Sequence, residues 1–386
     1  MVTRPLPARR DSSALDLALD IHRVRQYFAA GLGAADLVRD VRLLETARRA
    51  VLPLPFDRAA PVANPFVGMR SRRPVRPPAG RLAVVASGGS GATACLVGVA
   101  RALEEAGRRP DVYSLCSGSA LFGFPLAAGL PAVEVADLLL ALRPRRYVDV
   151  AWRSLAAAPL TAGRGFTGIV RGDRLEEYFR DRLGDMTLAE LAVPAYVPVW
   201  SVEHNRLDYL GPRTHPDVPV ARAIRMALSL PLFFEPVELA GELWCDGGIV
   251  DILPVVPLLD IEPPAATTLA INVFHPPGLA GEDATGWDRR AGSILRAASQ
   301  VRTSQHLQLA RHNLRRLRDS GRTLLLEPVP YDAVRGTGFY RQFLDVTDWP
   351  RFMLAGYEHT RHAFARARRS ERTERPEQAA RTGPAR

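Results

Sequence analysis

Lysine is missing altogether: all 51 basic side chains among the 386 residues are arginine, set against 41 Asp and Glu for a net charge of +10. Cysteine is scarce. Cys95, Cys116 and Cys245 form neither an even disulfide framework nor a zinc-ligand spacing, so free thiols in a reducing, cytoplasmic compartment are expected. The eight histidines include no His-Glu-x-x-His pair. His306 and His312 fall on different helix faces, and His359 and His362 read as a surface pair, so no metal site is expected. No uninterrupted run of about 18 apolar residues is available to span a bilayer. The most apolar stretch, 121–142, is broken by Pro125, Pro131, Glu134 and Asp137. The N-terminal MVTRPLPARRDSS has no apolar run behind its arginines, which predicts no secretory signal. With 47% apolar and 24% charged residues, bulk disorder is also excluded.

The surplus charge sits at the ends. Residues 1–81 hold 15 Arg against 7 acids and residues 366–386 hold 7 Arg against 3, leaving the middle near neutral. A basic end suits anionic phosphate surfaces. Together with helical apolar spacing it predicts reversible contact of the N-terminal region with anionic membrane, at the inner face. No nucleic-acid partner is expected.

At about 150 residues per domain, the length allows two or three units. Residues 1–50 read as a helical extension, with a hairpin broken at Gly31-Leu32-Gly33. Residues 51–80 contain seven prolines and read as an extended linker. From Arg81 the texture changes to short apolar runs alternating with helical spacing. Strands are expected at Leu82–Ala86, Asp111–Leu115, Ala195–Val202, Leu269–Phe274 and Thr323–Glu327. Helices are expected over 94–106, Ala120–Gly129, Val220–Leu228, Ile294–Leu317 and from Asp348 to about Ala365. Thr187-Leu-Ala-Glu190 reads as a capping box opening a short helix. Strand and helix in alternation imply a mostly parallel sheet with crossovers. Residues 81–365 are taken as one α/β domain, and 366–386, rich in Arg and Glu, as a disordered basic tail.

Three segments carry chemistry. Ser87-Gly88-Gly89-Ser90-Gly91-Ala92 follows a strand and precedes a helix, where backbone amides face outward and bind an anion or oxyanion. It lacks the endings of a nucleotide-binding loop. Leu115-Cys116-Ser117-Gly118-Ser119-Ala120 is a second strand-to-helix junction. Such a turn lifts a serine Oγ above the sheet at a helix N-terminus; its plainer reading is an N-cap. Trp244-Cys245-Asp246-Gly247-Gly248 reads either as a hairpin turn or as a carboxylate offered as base to a serine.

In that order the segments resemble the patatin-like phospholipase family. The resemblance covers roughly 81–365, including Gly98 to Glu105, Ala223 to Val237, Leu324 to Pro328 and Gly356-Tyr357. It implies a three-layer α/β/α fold, lipid acyl hydrolase activity by a Ser-Asp dyad without histidine, and no cofactor. Ser117 is then the nucleophile, Asp246 its base, and Gly88, Gly89, Ser90 and Gly91 the oxyanion hole. The substrate is a lipid or other acyl ester. The chain departs from the family elbow Gly-x-Ser-x-Gly, having Leu115 and Ser119 for its glycines. Ala92 and Thr93 replace the usual basic residue and glycine of the loop. Pro125 inside the elbow helix is expected to kink it. Ser119 stays open as a rival nucleophile, Asp251 as a rival base, and His204 as the best candidate for a triad histidine. The alternative is a patatin-fold protein weakened in catalysis that binds lipid or a protein partner.

Overall fold

The computed structural model describes residues 61–70, 72–151, 167–280, 294–334 and 337–381. The N-terminal hairpin and the start of the linker lie outside the described residues. The described part of the linker is irregular, with one turn at 65–68.

In chain order the elements begin with β1 (Leu82–Ala86), α1 (Cys95–Glu105), β2 (Val112–Ser114), α2 (Gly118–Ala127), α3 (Ala132–Leu140) and α4 (Pro144–Tyr147). Next come β3 (Gly168–Val170), α5 (Asp173–Leu183), β4 (Ala195–Ser201), β5 (Arg206–Leu210), α6 (Val220–Ala227), β6 (Leu232–Phe234), β7 (Val237–Leu239) and β8 (Glu242–Asp246). The chain continues with α7 (Val256–Leu259), β9 (Thr267–Ile271), α8 (Ile294–Ser320), β10 (Arg322–Leu326), α9 (Thr337–Leu344) and α10 (Trp349–Arg381). Within the described residues the anticipated strands and helices are present, with ends shifted by a few residues. Helices α3, α4, α5, α7 and α9 and strands β3, β5, β6 and β7 went unanticipated. The capping box forms at Thr187 and Glu190, but it opens a single 3-10 turn, Leu188–Glu190. Helix α10 overruns Ala365 and continues to Arg381, into the segment read as a basic tail. Arg, Glu, Ala and Gln are strong helix formers whatever their net charge.

The main sheet pairs in the order β10-β9-β1-β2-β4-β8-β7, with β5 also on β4. The first five are parallel; β5 and β8 run against them, and β7, antiparallel to β8, runs with them again. Every residue of β1 is buried, because helices cover both faces of a parallel sheet. The pleat sends Leu82, Val84 and Ala86 one way and Ala83 and Val85 the other, and each set joins a separate core. The first packs against α1, α2, α6 and α10. The second packs against α7 and α8 through Leu258, Leu307, Ala310, Leu314 and Leu317. The result is three layers, α/β/α. Helices α1 and α10 cross so closely that a Cβ at Gly98 or Gly356 would overlap the backbone of the other helix. Glu105 secures the crossing, accepting from Tyr357 at 2.6 Å and pairing with Arg361. Among the described residues no helix is long and apolar enough to cross a membrane.

Register explains where the chemistry collects. In a strand, residues two apart send their amides and carbonyls to the same side. The Tyr196 carbonyl accepts from Leu115 and the Val202 amide donates to Leu243. Positions 196 and 202 of the chain share parity, so β2 and β8 occupy the same flank of β4, β2 on its first half and β8 on its second. Ser114 stands opposite Tyr196; Asp246 stands opposite Val199, three positions further on. Three residues past Ser114 is Ser117. The two strands therefore run toward each other along β4, β2 ending just before the turn that carries Ser117 and β8 ending on Asp246.

Candidate active site

Ser117 ends the β2 turn with φ 50° and ψ −124°. An L-residue is strained there, and such strain marks a sharp strand-to-helix turn that lifts a serine from the sheet. The hydroxyl makes no capping bond to α2, so the plain N-cap role is set aside. Ser117 is 8% exposed and faces the positive end of the α2 dipole. The following Gly118 is where backbones meet: a Cβ there would overlap the Ser90 carbonyl.

Both departures from the elbow pattern are accommodated. Leu115 is fully buried and turns away from the crowded turn onto Gly123, where a Cβ would lie 2.6 Å from Leu115 Cδ1. Ser119 is also fully buried. Its Oγ accepts from the Cys116 amide at 2.7 Å and lies 2.8 Å from the Cys116 carbonyl and 3.2 Å from that of Ala86, to which it donates. Ser119 thus braces the elbow. Pro125 lies within α2 but in its last turn, since the helix ends at Ala127; the missing amide falls where the helix is already closing.

The glycine-rich loop wraps over this turn. Ser87 fixes its start, accepting from the Val273 amide at 2.9 Å and donating to the Gly88 carbonyl. The Gly88 amide donates to Ile252 at 3.1 Å. That corrects its expected role as an oxyanion donor. Gly88 instead provides room, because a Cβ would stand 3.2 Å from Ser117 Cβ and 2.7 Å from Ile252 Cδ1. No acceptor for the amides of Gly89 and Ser90 is found among the described residues. Gly91 is pressed against the Gln342 carbonyl of α9 and the Trp349 indole. Ala92 is buried, and Thr93 closes the loop by donating to the Ser90 carbonyl at 2.6 Å.

Asp246 is 1% exposed and closes β8. Its Oδ1 accepts from the Gly248 amide at 2.8 Å, and its own amide donates to Ser229. Ser229 is in turn gripped by the buried Arg225, which also donates to the carbonyls of Arg171 and Glu235. Gly247 lies too close to Pro198 for any side chain. Cys116 sits between the two candidates: a Cβ at Gly248 would lie 2.8 Å from its Sγ and 3.0 Å from Asp246 Oδ1. Burial, then the charges of Asp246 and Asp251, push the Cys116 thiol well above its ordinary value, so it stays protonated beside the serine. All three cysteines are buried and unpaired.

The rivals are otherwise engaged. Asp251 accepts from the Tyr209 hydroxyl at 2.7 Å and from Asn313 at 3.0 Å, which ties β5 to α8. His204 is more than half exposed and faces Glu242 at 3.3 Å. Two histidines given no role at the site by the sequence lie at this edge of the sheet. His306 Nε2 donates to the Ile249 carbonyl at 2.6 Å, and His275 is buried against Phe274. No sequence spacing pointed to either.

An apolar space opens at Ser117, lined by Ser90, Ser117, Leu228, Leu230, Phe233, Phe339 and Phe343. A second adjoins it through Ser90, Leu228 and Phe343 and ends on Leu121, Leu142 and Leu175. Helix α9 roofs both. Phe343 packs edge-on to Phe233, Phe234 and Tyr147.

Residues 84–259 match the family model described as patatin-like phospholipase. An uncharacterized NTE family protein of Mycobacterium tuberculosis is 28% identical over 197 residues, 50% of this chain and 49% of its own length. The uncharacterized protein YqhO of Bacillus subtilis is 27% identical over 202 residues, 44% of this chain and 64% of its own. The matches thus span about half to two thirds of these relatives. Among solved structures, VipD from Legionella pneumophila aligns at 15% identity with a TM-score of 0.42, covering 75% of this chain and 67% of its own.

Proposed function

We propose that this chain, matched over residues 84–259 to the patatin-like phospholipase family, is a serine hydrolase of lipid acyl esters acting through a Ser117-Asp246 dyad and an acyl-enzyme. The observation that carries the reading is the strained backbone of Ser117 at a strand-to-helix turn, at the end of β2 that faces the end of β8 bearing Asp246 along one flank of β4.

The chemistry is set by the groups present. Asp246 takes the Ser117 hydroxyl proton as Oγ bonds to the ester carbonyl carbon, and the carbonyl electron pair moves onto oxygen. The amides of Gly89 and Ser90, with the first-turn amides of α2, stabilise that oxyanion, each donor contributing about 3 kcal/mol in comparable sites. Collapse expels the alcohol, which recovers the proton from Asp246. Water repeats the sequence on the acyl-enzyme, giving up its proton to Asp246, and releases the acid and free Ser117. A carboxylate is a weak base for serine; Asp246 is held for the task by burial at 1% exposure and by the Gly248 amide on its Oδ1. The side chains around Ser117, among them Leu228, Leu230, Phe233 and Phe343, are of the apolar kind that an acyl chain would meet.

The alternative, a binding protein that has lost catalysis, rested on the missing elbow glycines. Leu115 housed by Gly123 and Ser119 bracing the turn remove that motive. The deciding experiment is fluorophosphonate labelling with peptide mass mapping. An adduct on Ser117, lost in Ser117→Ala, is expected; a folded wild-type chain that takes no adduct would sink the hydrolase reading.

A further inference from the structure

The space at Ser117 is apolar but for two side chains among the described residues, Ser117 itself and Ser90. Ser90 is 2% exposed, and its Oγ has no hydrogen-bond partner among the described residues. A buried hydroxyl left unpaired costs about 1–3 kcal/mol, and native structures rarely leave one without a reason. The Ser90 backbone is also held at φ 55°, a region disfavoured for any residue with a Cβ. Its carbonyl is already committed to Thr93 and abuts Gly118, so the residue cannot turn over. The side chain is thereby fixed in the wall shared by both apolar spaces, beside the residue next to Ser117. A ligand oxygen entering there is the partner the hydroxyl lacks, and an acyl ester held for attack by Ser117 brings its carbonyl oxygen to that wall.

We propose that the Ser90 hydroxyl donates a hydrogen bond to the acyl oxygen as it becomes an oxyanion, adding a side-chain donor to the loop amides. The proton stays on Ser90; no bond to it breaks. This rests on the dyad reading above. Because charge builds on the acyl oxygen only during attack, the bond strengthens in the transition state and acts on kcat rather than KM.

The test uses the full chain with 4-nitrophenyl butyrate turnover and fluorophosphonate labelling in parallel. In Ser90→Ala, kcat is expected to fall by about 10²-fold, the lower range for loss of one oxyanion donor, with KM nearly unchanged and any adduct still on Ser117. Ser90→Gly removes the hydroxyl while relieving the positive φ, and should show the same kcat loss with an equal or higher Tm. Either variant folded and turning over at the wild-type kcat overturns the proposal. So does a raised KM at unchanged kcat, which would put the hydroxyl on ground-state substrate. A wild-type chain that neither labels nor turns over removes the dyad reading, and this proposal with it.

Discussion

Leu115 packs its branched end directly onto Gly123, with Cδ1 only 2.6 Å from where a Cβ on that glycine would stand. A bulky residue at the strand end and a missing side chain one helix turn into α2 are two halves of one fit. Gly123→Ala is expected to destabilise the fold by about 1–3 kcal/mol through overpacking, read from urea denaturation. Leu115→Ala combined with Gly123→Ala should cost less than the two single changes summed, since the pair shares one contact. If the costs simply add, the fit is not what makes Leu115 tolerable.

Restoring a family-like residue at 119 is expected to harm the protein. Ser119→Gly leaves the Cys116 amide without its acceptor, a loss of about 1–3 kcal/mol, and loosens the turn that carries Ser117. Tm and the rate of fluorophosphonate labelling should fall together, with the adduct site unchanged. Faster labelling in Ser119→Gly would contradict the bracing role.

The two aspartates near the elbow should separate cleanly. Asp246→Asn is expected to lower kcat by about 10²–10⁴, the usual span for loss of a general base, while Asp251→Asn leaves it close to wild type. Asp251 should show itself in stability. Burial raises its carboxyl above the ordinary 3.8, so in acid the folded chain holds a proton that the unfolded chain has released. Its contribution is greatest below that ordinary value and declines as pH rises toward the raised folded one. Denaturation midpoints from pH 3.5 to 6 should lose this downward component in Asp251→Asn; an unchanged profile would show that Asp251 ionises freely.

His275 carries the opposite sign. Burial first, then His306 and Arg311, pull its imidazole from 6.5 down to about 3. Between those values the unfolded chain binds a proton that the folded chain refuses, so stability is full above 6.5 and falls as the medium is acidified, by up to about 1.4 kcal/mol per pH unit. Of the charged neighbours, His306 and Arg311 both come from α8. His275→Phe is expected to flatten the fall in unfolding free energy between pH 7 and 5. A variant as acid-sensitive as wild type would place the proton uptake elsewhere.

Much of this architecture was legible from residue order alone. Buried parallel strands are continuous apolar runs because helices cover both sides, so Leu82–Ala86 and Thr267–Ile271 announce themselves. Small residues at a strand-to-helix junction mark a tight turn wherever they occur, which made Ser117, Asp246 and the loop at 88–91 visible. The sequence also determined that Leu115 and Ser119 break the elbow pattern, but not how the fold absorbs the break. That depends on which side chain faces which across the fold: Leu115 on Gly123, Ser119 on the Cys116 and Ala86 backbone, the Gly88 amide on Ile252. Likewise Ser90, Asp251 and His275 differ from other residues of their kind only in burial and partners. Those are set by packing between segments distant in the chain, and local propensity carries no information about them.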